Sequence, residues 1–389
     1  MSKKDVLNIG IVCGEHSGDR LGAGLIEELK KHYDVNLYGV GGPKLEKLGL
    51  KSSFHYSEIN IMGLLDPLLR IFKLTRLRKN LINLFIKNNI NLFIGIDSPD
   101  FNMGIHKALK KKCLNKNIQV VSPSVWGWRQ GRIKSIQAYI DLTLCLFNFE
   151  HNYYEKVGHN SFHLGHPFFN LNKENKEKIL KKYNLNNSKK FLSVLPGSRK
   201  SEVINMMPVY ADFIKKHYQK FRDYFYLIPV ADKELLPVIN KHFDGEDLPI
   251  KIAEQSMKDF LSISSLSIVT SGTATLEASI LESPPIICYK TNILNYSIIS
   301  RMLMIDNVGL PNLLLGKRHY IELIQNECNV ENLIDAVKAT EDLIPHSSEY
   351  ASMIRELLKG NGYSEAIKAI EAILKKILLL ALMKLVEVA

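Results

Sequence analysis

Short, almost wholly apolar runs alternate along the chain with longer stretches whose apolar residues recur every three or four positions. The first series runs LNIGIVC (7–13), GDRLGAGLIEELKKHY (18–33), VNLYGV (35–40), a helix-period stretch, then NLFIGI (91–96), IQVVSP (118–123) and DLTLCLF (141–147). Such runs predict strands buried on both faces, and the stretches between them predict the amphipathic helices that cover those faces, so the pattern specifies a parallel sheet. A second series follows a polar, lysine-rich stretch at 173–182: KFLSVLPGSR (190–199), YFYLIPV (224–230), LSIVTSGTATLEAS (266–279) and PPIICYK (284–290). Two series of about equal length predict two doubly wound, Rossmann-like α/β domains with a cleft between them. The joint falls between residues 165 and 172, giving an N-terminal domain 1–168, a C-terminal domain 169–345 and closing helices 346–389. Ligands of such sheets bind outside the carboxyl ends of the strands, so the residues just after each strand are the ones placed for chemistry.

Composition narrows the classes without choosing one. The 389 residues are 46% hydrophobic, enough for two cores. Lys and Arg outnumber Asp and Glu by 51 to 40, a formal charge of +11, which favours nucleotides, phosphorylated lipids, an anionic membrane or nucleic acid as partners. The five cysteines are scattered without paired spacing and read as reduced thiols of a cytoplasmic protein. Asn8 and Gly10 break the N-terminal apolar run, which reads as a first strand and not as a signal peptide. The longest apolar run, ILLLALM (377–383), falls far short of the roughly 20 residues of a spanning helix.

After the first strand stands CGEHSGDRLGAG (13–24). Glycines at a strand-to-helix turn let a ligand approach the backbone, and the helix N-terminus favours an anion or a sugar hydroxyl. The stretch has neither the dinucleotide fingerprint nor a P-loop, so a ligand turn and a plain tight turn both stay open; Glu15, Ser17 and Asp19 make it more polar than a turn requires. The next strand of interest, LFIGIDSPDFN (92–102), empties into two carboxylates. Asp100 suits the N-cap of the helix that follows. Pro99 bars an earlier helix start, so Asp97 follows directly from the strand, where a carboxylate can take a proton from an attacking hydroxyl. A D-x-x-D spacing with a proline inside and no accompanying cluster does not read as a metal site.

VSPSVWGWRQGRIKSI (121–136) holds both tryptophans, Trp126 and Trp128, two apart and therefore not on one helix face. They are either a core anchor plus a surface ring or a binding wall in which Arg129 meets phosphate. LPGSRKSEV (195–203) and TSGTATLEAS (270–279) repeat one device of strand, small-residue turn and helix. The amides around Ser198 with Arg199, and those of Ser271, Gly272 and Thr273, can hold a diphosphate. Glu277, about two turns along its helix, can accept ribose hydroxyls, and Asn312 lies in the Pro/Gly-rich loop GLPNLLLG (309–316). The stretch 61–89 mixes Leu, Ile and Phe with Arg70, Lys73, Arg76, Arg78, Lys79 and Lys87. It is either a helix that lies on an anionic membrane or a core helix with a solvated basic face. The apolar tail 366–389 packs back on the body or against a second copy, so a homodimer is one of its two readings.

Taken together and in order, GEHSGDRLGAGLI, GIDSPDFN, SPSVWGWRQGRI, GHPF, LPGSRKSEV, SGTATLEA and LPNLLLG, spanning residues 14 to 316, resemble the lipid-A-disaccharide synthase family. The resemblance implies a GT-B-type fold and metal-independent, inverting transfer without a cofactor. It implies UDP-2,3-diacylglucosamine as donor and 2,3-diacylglucosamine 1-phosphate as acceptor, giving a β-1,6-linked disaccharide 1-phosphate and UDP at the cytoplasmic face of the inner membrane. It gives Asp97, Arg199 and Asn312 the family's catalytic positions, Asp97 as base. Ser198, Ser271, Gly272, Thr273 and Glu277 would hold the UDP, and Glu15, Ser17, Trp128 and Arg129 the other substrate. His16 stands where Pro or Thr is expected, and FNFE (147–150) where a proline is expected before the phenylalanine. Two alternatives remain: a relative acting on a soluble UDP-sugar, such as a UDP-N-acetylglucosamine 2-epimerase, and a non-catalytic lipid- or nucleotide-binding protein. Nucleic-acid binding ranks last, because the basic residues sit among leucines and not in an aromatic-interleaved patch.

Overall fold

A computed structural model describes residues 4–59, 66–113, 115–123, 125, 130–291 and 307–386. It forms two compact units, one of residues up to Pro167 with the chain from Leu358 onward, the other Phe168–Leu357.

The first unit alternates β1 (Val6–Cys13), α1 (His16–His32), β2 (Asp34–Val40), α2 (Pro43–Lys47), β3 (Lys51–Ser52) and α3 (Asp66–Lys87). It continues through β4 (Leu92–Ile96), α4 (Pro99–Lys112), β5 (Lys116–Val120), α5 (Ile133–Tyr139), β6 (Leu142–Cys145), α6 (Asn148–Lys156) and β7 (Ser161–His163). The strands make one parallel sheet in the order β3-β2-β1-β4-β5-β6-β7. All five residues of β4 are buried, the signature of a central strand covered on both faces. One face packs Val12, Phe93, Phe101 and Ile105 against Leu81 and Phe85 of α3.

The second unit contains α7 (Lys176–Tyr183), β8 (Lys190–Leu195), α8 (Lys200–Lys220), β9 (Tyr224–Val230), α9 (Leu236–Asn240), β10 (Ile250–Glu254), α10 (Met257–Ile263) and β11 (Leu266–Thr270). After these come α11 (Thr273–Ile280), β12 (Pro285–Tyr289), a helix Leu310–Leu315, β13 (Glu322–Ile324) and a helix Val330–Glu341. Its sheet is also parallel, in the order β10-β9-β8-β11-β12-β13. Every strand expected from an apolar run is present. Those not foreseen, β3, β7, β10 and β13, are edge strands, three of them of two or three residues; they bury too little side chain to leave an apolar run.

The closing helices do not form one block. Arg355, on the helix Ser347–Leu358, donates to the carbonyls of Phe169, Leu171 and Ile280 within the second unit. The helix Gly362–Val386 instead returns to the first unit, burying Ala366, Ile367 and Ile370, with Tyr33 donating to Glu371 at 3.2 Å. At the switch the bare backbone of Gly360 lies against Gly165, where a Cβ would stand 2.2 Å from the Gly165 nitrogen. This part of the tail therefore packs on its own body. No described helix is long and apolar enough to cross a membrane.

Candidate active site

In a doubly wound sheet the loops diverge where strand order reverses, and a ligand fits between them. The reversal falls between β1 and β4 in the first sheet and between β8 and β11 in the second. Around these two points lie Glu15, Ser17 and Asp97 in the first unit, and Ser198, Arg199 and the Ser271-Gly272-Thr273 turn in the second. Glu15 is the N-cap of α1, partly exposed, and Ser17 beside it is exposed. The two turns of the first unit touch: a Cβ on Gly14 would come within 2.7 Å of Ser98 Oγ. Asp19 does not reach that surface. Its buried carboxylate accepts from the backbone nitrogens of Gly42, Lys44 and Leu45, fixing the start of α2. His16 stacks on Tyr56, whose hydroxyl lies 3.3 Å from its Nδ1.

Asp97 and Ser98 both have left-handed backbones, with φ of 51° and 41°. Each costs about 1–3 kcal/mol unless its surroundings impose it. Here the imposing groups are buried amides: the Asp97 carbonyl accepts from Asn102 Nδ2 at 2.8 Å and Gln119 Nε2 at 3.1 Å. Gln119 Nε2 also donates to the Val120 and Val121 carbonyls, so its Oε1 must face the other way, toward His106 Nε2 at 3.1 Å. An amide oxygen only accepts, so His106 carries its proton on Nε2. Burial pushes His106 down to about 4, which keeps it neutral near pH 7. The buried thiol of Cys13 is pushed up to about 12 by burial first, then by Asp19, with a smaller contribution from Asp97.

The helix start differs from expectation. Pro99 is the first residue of α4, and Ser98, turned left-handed, is its N-cap. Asp100 is therefore not the cap. It sits in the first turn of α4, where an acid opposes the helix dipole favourably, and it pairs with Arg132. Proline disfavours the right-handed helical region for the residue before it, and a left-handed Ser98 avoids that region while the helix begins two residues sooner than an Asp100 cap would give. Trp126, Trp128 and Arg129 lie outside the described residues.

In the second unit Thr270 Oγ1 donates to the Leu195 carbonyl at 2.9 Å, tying the ends of β8 and β11 together. This brings the LPGSR turn beside the Ser271-Gly272-Thr273 turn. Gly272 and Thr273 are exposed, with no atom of the described residues within 4 Å of where a Gly272 Cβ would stand, so among these residues nothing covers the N-terminus of α11. The LPGSR turn is filled differently. Glu202 Oε2 accepts from the Ser198 and Arg199 nitrogens at 3.1 and 3.2 Å, and Glu202 Oε1 pairs with Arg199 Nη1 at 2.6 Å. Gly197, at φ 110°, is required there, because a Cβ would meet Glu202 at 2.7 Å. The amides expected to hold a diphosphate thus already serve a carboxylate, leaving this turn the exposed Ser198 hydroxyl and the Arg199 guanidinium. Glu202 was missed in the sequence, although its place as third residue of the helix is the usual one for a capping acid. Glu277 is buried on α11.

Asn312, the expected catalytic asparagine, lies on the helix Leu310–Leu315 before β13. It is fully buried, and its amide is saturated: Nδ2 donates to the Tyr320 carbonyl and Glu322 Oε1, both at 2.8 Å, while Oδ1 accepts from His319 and Tyr320 nitrogens. Glu322 in turn accepts from the nitrogens of Val308 and Gly309. Asn312 holds a loop together. Among the described residues no group of three or more His, Cys, Asp or Glu is placed to hold a metal ion.

Against known proteins, residues 9–377 match the model of one family, lipid-A-disaccharide synthetase. The chain belongs to the lipid-A-disaccharide synthase family. Lipid-A-disaccharide synthase 2 of Legionella pneumophila (strain Paris) is 36% identical over 386 residues, covering 96% of this chain and 99% of that one. Lipid-A-disaccharide synthase of Acinetobacter baylyi is 37% identical over 376 residues, covering 91% and 94%. Solved structures of similar fold include a UDP-GlcNAc 2-epimerase from Neisseria meningitidis bound to UDP-GlcNAc, with a TM-score of 0.64, 12% identity and coverage of 95% and 100%. A glycosyltransferase from Rickettsia africae aligns with a TM-score of 0.57 at 13% identity, covering 97% and 99%. These place the synthase-family chain in the GT-B fold class. The synthase relatives, at far higher identity, fix its activity as a disaccharide-forming glycosyltransferase and set aside the epimerase and non-catalytic readings.

Proposed function

We propose that the chain transfers a 2,3-diacylglucosaminyl group from UDP to the 6-hydroxyl of 2,3-diacylglucosamine 1-phosphate. The observation that carries this reading is the left-handed turn at Asp97, imposed by Asn102 and Gln119 at the strand reversal of the first sheet, in a chain of this family. Asp97 takes the proton of the acceptor hydroxyl. The oxygen forms its bond to the anomeric carbon as the bond to the diphosphate oxygen breaks on the opposite face, and UDP leaves with the electron pair, inverting the centre. The Arg199 guanidinium and the open N-terminus of α11 stabilise the charge on the diphosphate, and Glu277 takes the ribose hydroxyls. Glu15 and Ser17 face the acceptor. Turnover of the two diacylated substrates in detergent with excess chelator is expected to yield disaccharide 1-phosphate and UDP. Product only from water-soluble UDP-N-acetylglucosamine would remove the reading.

We take the enzyme to meet these acylated substrates at the cytoplasmic surface of the inner membrane. In support, α3 buries Leu81 and Phe85 in the core, yet its earlier turns leave Phe72 89% and Ile71 49% exposed next to Arg76 and Lys79. The later turns thus follow the core reading, and the exposed earlier turns support the membrane reading. Phe72→Ser with Arg76→Glu and Lys79→Glu should abolish flotation with anionic vesicles; undiminished flotation would remove this surface from the membrane contact.

A further inference from the structure

A cavity of about 280 Å³ opens in the first unit beside the Asp97 turn, between α3, α4 and α5. Its lining includes cations from three separate elements: Arg78 of α3, Lys107 of α4, and Arg132 just before α5, with Ser135 adding a hydroxyl. Asp100 is the one carboxylate among the lining residues, and it pairs with Arg132. The walls therefore hold two positive charges in excess.

Arg78 is built into this wall. Its Nη2 donates to the Asp100 carbonyl at 3.3 Å, and its guanidinium carbon stands 5.1 Å from the centre of the Phe101 ring. A Cβ on Gly104 would come within 2.7 Å of Arg78 Nε, so a glycine there is what lets the guanidinium lie against α4. Arg78 Nε is shielded from solvent without a hydrogen-bond partner among the described residues. The Lys107 ammonium lies 5.8 Å from the centre of the Tyr139 ring, with no carboxylate in ion-pair reach among the described residues. Asp100 serves Arg132 as an ion pair and acts on Arg78 through both its carbonyl and its charge.

Charge and size select the ligand. A phosphate monoester carries about −1.5 to −2 at neutral pH and three terminal oxygens, matching the excess and the planar donors of arginine. Pro99 and Asp100, which line the cavity, stand two and three residues beyond Asp97. The cavity therefore opens next to the turn that carries the base. In a glucosamine 1-phosphate the 6-hydroxymethyl and the phosphate flank the ring oxygen, one sugar ring apart. We propose that this cavity is a phosphate-monoester site and that it takes the 1-phosphate of the acceptor; the second half rests on the functional reading above.

The test compares acceptor with and without its 1-phosphate, in wild type, Arg78→Met and Lys107→Met, with Lys111→Met, an exposed lysine of α4 outside the cavity, as a control for net charge. Wild type should prefer the phosphorylated acceptor by about 10–100-fold in kcat/KM, the range of one or two charge-assisted hydrogen bonds. Arg78→Met and Lys107→Met should each shrink that preference about tenfold, mainly through KM, and Lys111→Met should keep it. A preference unchanged in both cavity variants would overturn the site. Binding of soluble glucosamine 1-phosphate and of inorganic phosphate, followed by chemical-shift titration, separates the two halves. Loss of both in Arg78→Met with equal wild-type affinities would keep a phosphate site but overturn the acceptor assignment. If wild type makes no disaccharide, the functional reading fails, while loss of glucosamine 1-phosphate binding in Arg78→Met still supports the site and retention still overturns it.

Discussion

Asp97→Asn should lower kcat by about 10²–10⁴-fold, the usual contribution of a positioned general base. Asparagine keeps the side-chain volume and cannot take the acceptor's proton. It is also among the few non-glycine residues that accept a left-handed backbone readily, so the φ of 51° imposed on residue 97 stays affordable and the turn after β4 keeps its shape. Alanine would confound the result by adding backbone strain to the loss of the acid. The grip of Asn102 and Gln119 is on the carbonyl of residue 97 and survives the change, so the melting temperature should move little. The measurement is turnover at saturating donor and acceptor together with a thermal melt. A variant that folds and turns over within tenfold of wild type would leave the fold standing and remove Asp97 as base.

Asp97 and Asn312 show what the sequence can and cannot carry. Central strands announce themselves because a strand covered on both faces must be apolar throughout, and β4 is. The rule for ligands at strand ends then points at Asp97 without further help. What imposes its geometry is invisible at that level: Gln119 is 22 residues away on β5, and His106, which orients Gln119, sits mid-helix on α4. The surroundings of Asn312 are hidden in the same way. A polar residue in a Pro/Gly-rich loop resembles a ligand group, but its partners Tyr320 and Glu322 arrive only when β13 pairs with β12. The residue types are local; their saturation is tertiary. The cavity of Arg78, Lys107 and Arg132 is the same case again, three cations from three helical segments that no sequence spacing relates.

Arg199→Ala should cost about 10²–10³-fold in kcat, comparable with the loss of one preorganised donor to a developing anion. The structure makes this effect separable from folding. Glu202 accepts the Ser198 and Arg199 backbone nitrogens whatever side chain stands at 199, so the start of α8 keeps its cap and the stability loss should stay near the 0–1 kcal/mol of a solvent-accessible ion pair. Glu202 also holds Nη1 of Arg199, which fixes the guanidinium before any ligand arrives and lets it act without reorganising. Arg199→Lys keeps the charge and loses the planar fork, so it should fall between alanine and wild type. Glu202→Gln keeps an acceptor for the two amides while removing the charge that restrains Arg199, and it should lower kcat less than Arg199→Ala does. Single-turnover rates with excess enzyme read the chemical step apart from product release. If Arg199→Ala changes only KM for the donor and leaves that rate intact, the arginine binds the diphosphate equally in ground and transition states. The leaving group's charge would then rest on the N-terminus of α11 alone.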